Sequence, residues 1–189
     1  MGILSWVAAL MLSSAAIAQG AFTIDELMRT LAATTDAAAG FTETRHSSAL
    51  KAPLVTIGEL RYTRPGRLER QVKTPYDERY LVDGDQVTIT RKGGTPRTIS
   101  LASQPALAGF LDTLRATLRG DIATLRRTYR VELEGDAASW RLVLLPADPD
   151  VAEFITVIRV AGNADRLAEM EVVETSGDRV VTRFSGAGP

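Results

Sequence analysis

The pattern of hydrophobic and polar residues begins with a helical period. In residues 23–37 apolar side chains recur every three or four positions. Thr23 precedes this pattern and Glu26 follows three residues later, which is the arrangement of a capping box at a helix start. We therefore predict a first helix over residues 23–37, ended by Gly40.

From Phe41 onward the period changes to two, which is typical of half-buried β-strands. Turn signals such as Arg64-Pro65-Gly66, with its proline and glycine, separate the runs. The predicted strands cover residues 41–50, 54–63, 67–73, 78–82, 86–91, 97–101, 129–134, 140–145, 154–160, 167–174 and 180–184.

Hairpin turns at this spacing favour a single antiparallel sheet or barrel over a parallel α/β fold. A sheet of about eleven strands tends to curl. Amphipathic helices could then cover its concave face and enclose space for an apolar ligand. The pattern therefore predicts a mainly β (α+β) fold.

Residues 105–118 return to helical spacing, and residues 122–125 continue it by a turn. The leucine-rich stripe consists of Leu107, Phe110, Leu111, Leu114 and Leu118. It fits ordinary core packing and a lid over a cavity equally well, because both need the same apolar face.

The N-terminal segment is apolar or small from residue 3 to residue 17, and no charged side chain precedes Asp25. Ala16-Ile17-Ala18 has the form of a signal-peptidase site. The run is shorter than the roughly 20 residues that span a bilayer. We therefore predict a cleaved signal peptide over residues 1–18 rather than a retained anchor. The mature part, residues 19–189, is then one domain exported to the periplasm.

Composition narrows the function classes. The chain has 189 residues, a formal net charge of −1 and no cysteine. The absence of cysteine excludes disulfides, thiol catalysis, thiolate metal sites and a lipid-attachment cysteine. The near-neutral charge argues against a nucleic-acid partner held by a general positive field. We expect a monomer.

Candidates for chemistry are few. His46 is the only histidine, and no nucleophile-elbow motif accompanies it. Asp83 and Asp85 fit a hairpin turn better than a metal site. Glu169 and Glu171 share a strand face, which favours a solvated surface over an acid–base pair. We therefore predict no catalytic residue, no metal, no cofactor and no enzymatic activity.

A group of arginines surrounds the second predicted helix, and two interpretations of it stay open. The group could contact acidic headgroups or an acidic partner, or it could form the charged outer face of the helix. Its members are Arg115, Arg119, Arg126, Arg127 and Arg130.

Three segments are similar to one known family. Residues 40–45 have the sequence GFTETR, residues 58–68 have GELRYTRPGRL, and residues 80–84 have YLVDG. The apolar strand ending in Arg64-Pro65, the next strand and the Asp-Gly hairpin are the most specific features. In this order they resemble the periplasmic outer-membrane lipoprotein carrier family (LolA).

The resemblance implies an incomplete, strongly curved antiparallel β-barrel with a helical lid over a hydrophobic cavity that holds acyl chains. It also implies that Arg64 hydrogen-bonds to the lid and acts as its latch; a surface arginine beside a turn is the alternative. The expected cavity lining is Leu60, Tyr62, Leu68, Val72, Val87, Ile89, Leu107, Phe110, Leu111 and Leu114.

The chain departs from the family pattern at two places. Arg70 stands where members usually have an aromatic residue, and Val-Thr-Ile-Thr at residues 87–90 replaces an aromatic-rich segment. We therefore expect a smaller or differently lined cavity. Because similar proteins accompany lipid or pigment exporters, a cargo other than triacylated lipoprotein is an alternative.

Together these expectations predict that the protein is a periplasmic carrier. It would take acyl chains of lipoproteins or other lipids from an inner-membrane donor complex or exporter and move them towards an outer-membrane acceptor. The alternative is a non-transporting module on the same fold that senses lipid or binds a protein as a scaffold.

Overall fold

The computed structural model describes residues 22–33, 36–103 and 105–186, apart from the side chains of residues 105–107 and 110. The predicted signal peptide, residues 1–18, lies outside the described residues. The helices are α1 (Ile24–Ala32), α2 (Pro105–Arg119), α3 (Ile122–Thr128) and α4 (Pro149–Ala152), with a 3₁₀ turn at Leu101–Ser103. The strands are β1 (Asp36–His46), β2 (Leu54–Thr63), β3 (Arg67–Thr74), β4 (Glu78–Asp83), β5 (Gln86–Arg91), β6 (Arg97–Ser100), β7 (Tyr129–Asp136), β8 (Ser139–Pro146), β9 (Ile155–Asn163), β10 (Arg166–Glu174) and β11 (Arg179–Ser185).

The strands of the described residues form one antiparallel sheet in the order β6-β5-β4-β3-β2-β1-β11-β10-β9-β8-β7. Hairpins build each half, and β1 joins the halves by pairing with β11, where Phe41 faces Phe184. β6 and β7 remain at opposite edges, so the sheet is open. The prediction of an incomplete eleven-strand barrel with helices is confirmed.

The hydrophobic core lies between the concave face of the sheet and the helices. Tyr62 of β2 and Ile158 of β9 belong to the same buried cluster although they come from opposite halves of the sheet. Leu27, Leu114 and Leu125 bring α1, α2 and α3 into that cluster. The sheet therefore curves around the helices. Within the described part of the chain, no helix is long and apolar enough to cross a membrane.

The first helix is shorter than its sequence pattern predicts. The capping box is confirmed, because Thr23 and Glu26 bind each other's backbone N–H groups. However, α1 ends at Ala32, and β1 already begins at Asp36. The prediction of helix at residues 36–37 is therefore wrong, and the first strand covers residues 36–46 instead of the predicted 41–50.

Strand pairing explains this difference. The alanines at residues 37–39 favour a helix by local propensity. In the fold they pair with β2, and Gly40 pairs with Glu59 on one side and Ser185 on the other. A Cβ at Gly40 would stand 3.0 Å from the Ser185 hydroxyl oxygen, so glycine fits this close approach and does not end a helix. Long-range pairing here overrides local propensity.

The second helical pattern is confirmed as α2, but its continuation forms a separate helix. Gly120 separates α2 from α3 with a φ of +66°, and the Asp121 side chain caps α3. A Cβ at Gly120 would stand 2.0 Å from the carbonyl oxygen of Met28. Glycine therefore lets the α2–α3 junction pack directly on α1. The short helix α4 was not predicted.

Arg115 ties α2 to two hairpin turns. Only 9% of its side chain is exposed. Its Nε donates to the Gly66 carbonyl at 2.8 Å in the β2–β3 turn, and a terminal nitrogen donates to the Gly84 carbonyl at 3.1 Å in the β4–β5 turn. Neither interpretation of the arginine group applies to Arg115. It fixes the helix over the sheet.

We predict that Arg115→Met lowers the free energy of unfolding by about 2–4 kcal/mol, because charge-assisted hydrogen bonds to both turns are lost while the apolar stem remains. Urea denaturation of the purified protein measures this change. Arg126→Met, at an exposed position of α3, is the matched control and should cost less than about 1 kcal/mol. An equal decrease in the free energy of unfolding in the two variants would show that Arg115 does not fix the helix.

Candidate ligand cavity

An apolar cavity of about 170 Å³ lies between α2 and the concave face of the sheet, and we call it the inner cavity. Strands β1 to β5 and β11 supply one wall and α2 supplies the other. Six of the residues expected to line a cavity border it: Leu60, Leu68, Val87, Ile89, Leu111 and Leu114.

The remaining expected lining residues lie elsewhere. Tyr62 borders a neighbouring space of about 270 Å³, the side cavity. Val72 is buried and borders an open groove of about 680 Å³, the outer groove. The side chains of Leu107 and Phe110 lie outside the described residues. The eight expected side chains that the structure describes are thus distributed over three neighbouring spaces.

The inner and side cavities are neighbours within one apolar tract. Leu60 of β2 and Phe184 of β11 border both spaces. The side cavity continues between the alanines of residues 37–39, Leu118 of α2 and Leu167 of β10, and Asn163, Asp165 and Arg166 add a polar part to its lining. Alanine side chains are short, so β1 leaves room here that larger residues would fill. An extended apolar chain could pass along this tract if Leu60 and Phe184 shifted.

A polar layer separates the inner cavity from the outer groove. Arg70 and Glu43 border both spaces and form an ion pair at 2.9 Å. The Arg70 guanidinium also lies 4.7 Å from the centre of the Phe41 ring and 5.9 Å from that of Tyr80. Thr182 donates a hydrogen bond to Glu43 at 3.2 Å. A charge-paired, hydrogen-bonded boundary therefore closes this end of the apolar space.

The same layer extends to the next strands. The Tyr80 hydroxyl donates to Glu78, and Arg91 donates to the same carboxylate. These two contacts hold the pKa of Glu78 below its usual range, the tyrosine contact being the larger cause. Burial and the Glu78 carboxylate raise the pKa of Tyr80. The groove end of the interior is thus ionised and internally paired, whereas the helix end is apolar.

Arg64 joins the β2–β3 turn to α1. Its guanidinium donates to the main-chain carbonyl of Ala32, the last residue of α1. Carbonyls at a helix C-terminus lack partners within the helix and carry partial negative charge, which favours a cation there. Gly66 of the same turn accepts the hydrogen bond from Arg115 on α2. One turn therefore holds both helices.

Tyr62 is buried two residues before Arg64, with 1% of its surface exposed. Its hydroxyl is the one buried side-chain polar atom without a hydrogen-bond partner among the described residues. Burial raises the pKa of Tyr62, whereas the nearby Arg64, Arg119 and Arg115 act in the opposite direction. The sequence pattern identified Tyr62 only as a lining residue.

The residues weighed for other chemistry lie apart from this tract. His46 is exposed at the end of β1, and Asp83 and Asp85 are exposed at the β4–β5 turn. Glu171 pairs with Arg159 at 2.7 Å, and no three His, Cys, Asp or Glu side chains of the described chain could together hold a metal ion.

Comparisons with known proteins agree with this architecture. The outer-membrane lipoprotein carrier protein of Hahella chejuensis is 23% identical over 185 residues, which cover 98% of this chain and 87% of the relative. A solved DUF1329 family protein from Desulfovibrio piger shares the fold with a TM-score of 0.50 and 13% identity, over 86% of this chain and 89% of that chain. A LolA superfamily protein from Nitrosomonas europaea has a TM-score of 0.45 and 12% identity, over 88% and 93%.

The similarity to the Desulfovibrio piger structure, at this identity, shows the fold alone. The family model described as "Outer membrane lipoprotein carrier protein LolA-like" matches residues 15–189, which is nearly the whole chain. The chain therefore belongs to the LolA-like family of outer membrane lipoprotein carrier proteins.

Proposed function

We propose that this protein is a periplasmic carrier that shields the acyl chains of a lipoprotein or another lipid and moves them towards the outer membrane. The observation that carries the proposal is the apolar inner cavity beneath α2, with the side cavity beside it. Each CH₂ group exposed to water costs about 0.8 kcal/mol, so a carrier must bury the chains during transfer. Membership in the family supports the same role.

Cargo entry requires the lid to move. The inner cavity holds about 170 Å³, which is below the roughly 300–1,000 Å³ of typical ligand pockets. Apolar side chains of α2 form its ceiling, including Leu111 and Leu114. Apolar packing and the hydrogen bonds of Arg115 to two turns hold α2 on the sheet, so opening must break part of these contacts, and none of them is covalent. The carrier thus needs no catalytic residue and no cofactor.

In this proposal the protein is exported and acts between the inner and the outer membrane. The apolar N-terminal pattern supports a signal peptide over residues 1–18 that directs a single domain, residues 19–189, to the periplasm. A curated relative named outer-membrane lipoprotein carrier protein supports the direction of transfer. The partners would be an inner-membrane donor complex or exporter and an outer-membrane acceptor, with the protein acting as a monomer.

Filling the apolar tract should weaken ligand binding. Leu60 borders both cavities, so we predict that Leu60→Trp weakens binding of the apolar fluorescent probe N-phenyl-1-naphthylamine at least about tenfold, a change of about 1.4 kcal/mol. Fluorescence titration of the mature protein measures the affinity, and the ability of acyl lipids to displace the probe is measured in the same assay.

The control for this variant lies on the same strand. Ile57 is 45% exposed, so Ile57→Trp adds the same ring outside the tract and should leave the affinity unchanged. If the wild-type protein binds neither the probe nor any acyl lipid, the carrier proposal is wrong. Equal affinities of wild type and Leu60→Trp would show that this tract is not the binding site.

We also propose that Arg64 is the latch of the lid. Arg64→Leu removes its hydrogen bond to the end of α1, so we expect release of a pyrene-labelled acyl lipid into vesicles to accelerate roughly tenfold, while the free energy of unfolding falls by only about 1 kcal/mol. Stopped-flow fluorescence measures release. Arg67→Leu, an exposed arginine across the same turn, should release at the wild-type rate. Unchanged release from Arg64→Leu would rule out the latch.

A further inference from the structure

The Tyr62 hydroxyl differs from the hydroxyl groups of Tyr80 and Tyr129 in its hydrogen bonding. The Tyr129 hydroxyl accepts a hydrogen bond from Thr113 at 2.8 Å, and the Tyr80 hydroxyl donates to Glu78. Tyr62 is as buried as Tyr129, yet its hydroxyl has no partner in the part of the chain that the structure describes. Leaving a buried polar group unpaired is costly, and such groups in folded proteins call for an explanation.

The surroundings of Tyr62 indicate what could pair with it. Tyr62 borders the side cavity together with Leu60 and Phe184, which also border the inner cavity. A molecule in this tract would therefore place apolar atoms in the inner cavity and could bring one polar atom to the Tyr62 hydroxyl. A phenol O–H is a hydrogen-bond donor, so its natural partner there is an oxygen acceptor.

The charges nearby favour an oxygen that carries negative charge. Burial raises the pKa of Tyr62, whereas the charges of Arg64, Arg119 and Arg115 act to lower it. Gly66 lies between two of these side chains, since a Cβ there would stand 3.8 Å from the Arg115 Nε and 3.8 Å from an Arg119 terminal nitrogen. Arg119 pairs with Asp121 at 3.5 Å and Arg115 lies 3.7 Å from Asp112, so part of this positive charge is already balanced. The remaining positive charge near Tyr62 favours an oxygen acceptor over a cation.

We propose that the Tyr62 hydroxyl binds the carbonyl oxygen at the polar end of an acyl chain, and that the side cavity holds this end while the chain extends into the inner cavity. The acceptor is the carboxylate of a free fatty acid or the ester carbonyl of a lipid, which share this chemistry. The inference rests on the proposed carrier function and adds a polar subsite that orients the cargo.

Tyr62→Phe tests the subsite with three ligands of equal chain length: palmitic acid, methyl palmitate and hexadecane. Each ligand displaces N-phenyl-1-naphthylamine from the mature protein. We expect Tyr62→Phe to weaken the oxygen-bearing ligands about tenfold, the loss of one hydrogen bond, and to leave hexadecane unchanged. If Tyr62→Phe binds both the acid and the ester more weakly, the hydroxyl binds a carbonyl oxygen. If it binds only the acid more weakly, the hydroxyl binds a carboxylate.

Tyr129→Phe is the matched control, because it removes a buried hydroxyl that has a protein partner. It should lower the melting temperature and leave the ligand ratios unchanged. Tyr62→Phe should leave the melting temperature of the ligand-free protein unchanged or raise it. If Tyr62→Phe destabilises the protein as Tyr129→Phe does, its hydroxyl has a structural partner and the subsite is wrong.

The binding results also separate this inference from the carrier proposal. If wild type binds all three ligands and Tyr62→Phe weakens all of them equally or none of them, the subsite is overturned while the carrier proposal stands. If wild type binds none of the three ligands, the carrier proposal and the subsite fail together.

Discussion

The hydrogen bonds at the turn between β2 and β3 hold the rest of this structure in place. An open, curved sheet cannot bury its own concave face, so helices must cover it. Arg64 reaches from this turn to the carbonyl end of α1, and Arg115 reaches back from α2 to Gly66. The position of α2 sets the ceiling of the inner cavity. The shape of the apolar space therefore depends on two arginines and the carbonyl groups that they bind.

The interior is built with two different ends. Near the helices its surface is apolar, whereas towards the outer groove Arg70 pairs with Glu43 and the Glu78 carboxylate accepts from Tyr80 and Arg91. Arg70 stands where the resemblance to the family suggests an aromatic residue, so the polar layer is a feature of this chain. Under the proposed function, the apolar part of this interior would bury an acyl chain. The charged groups towards the outer groove already have protein partners and close that end.

Local sequence patterns predicted the features that depend on local physics. Alternation of apolar and polar residues located the strands, and the Thr23–Glu26 capping box located the start of α1. The errors lie where distant pairing decides. The alanines of residues 37–39 favour a helix but pair with β2, and Gly40 lies between β2 and β11. The short helix α4 was not predicted.

The site shows the same division between local and distant contacts. Residues alternate between the two faces of a strand, and this alternation alone predicts that Leu60, Leu68 and Ile89 face the cavity. The pairing of Arg70 with Glu43, the contacts of Arg115 and the unpaired hydroxyl of Tyr62 arise from chain segments far apart in sequence. Native mass spectrometry of the protein isolated from its own cells tests most directly whether it carries an acyl cargo. A carrier should show a population whose mass exceeds that of the polypeptide by one acyl lipid or lipoprotein, whereas protein that is consistently empty would contradict the carrier function.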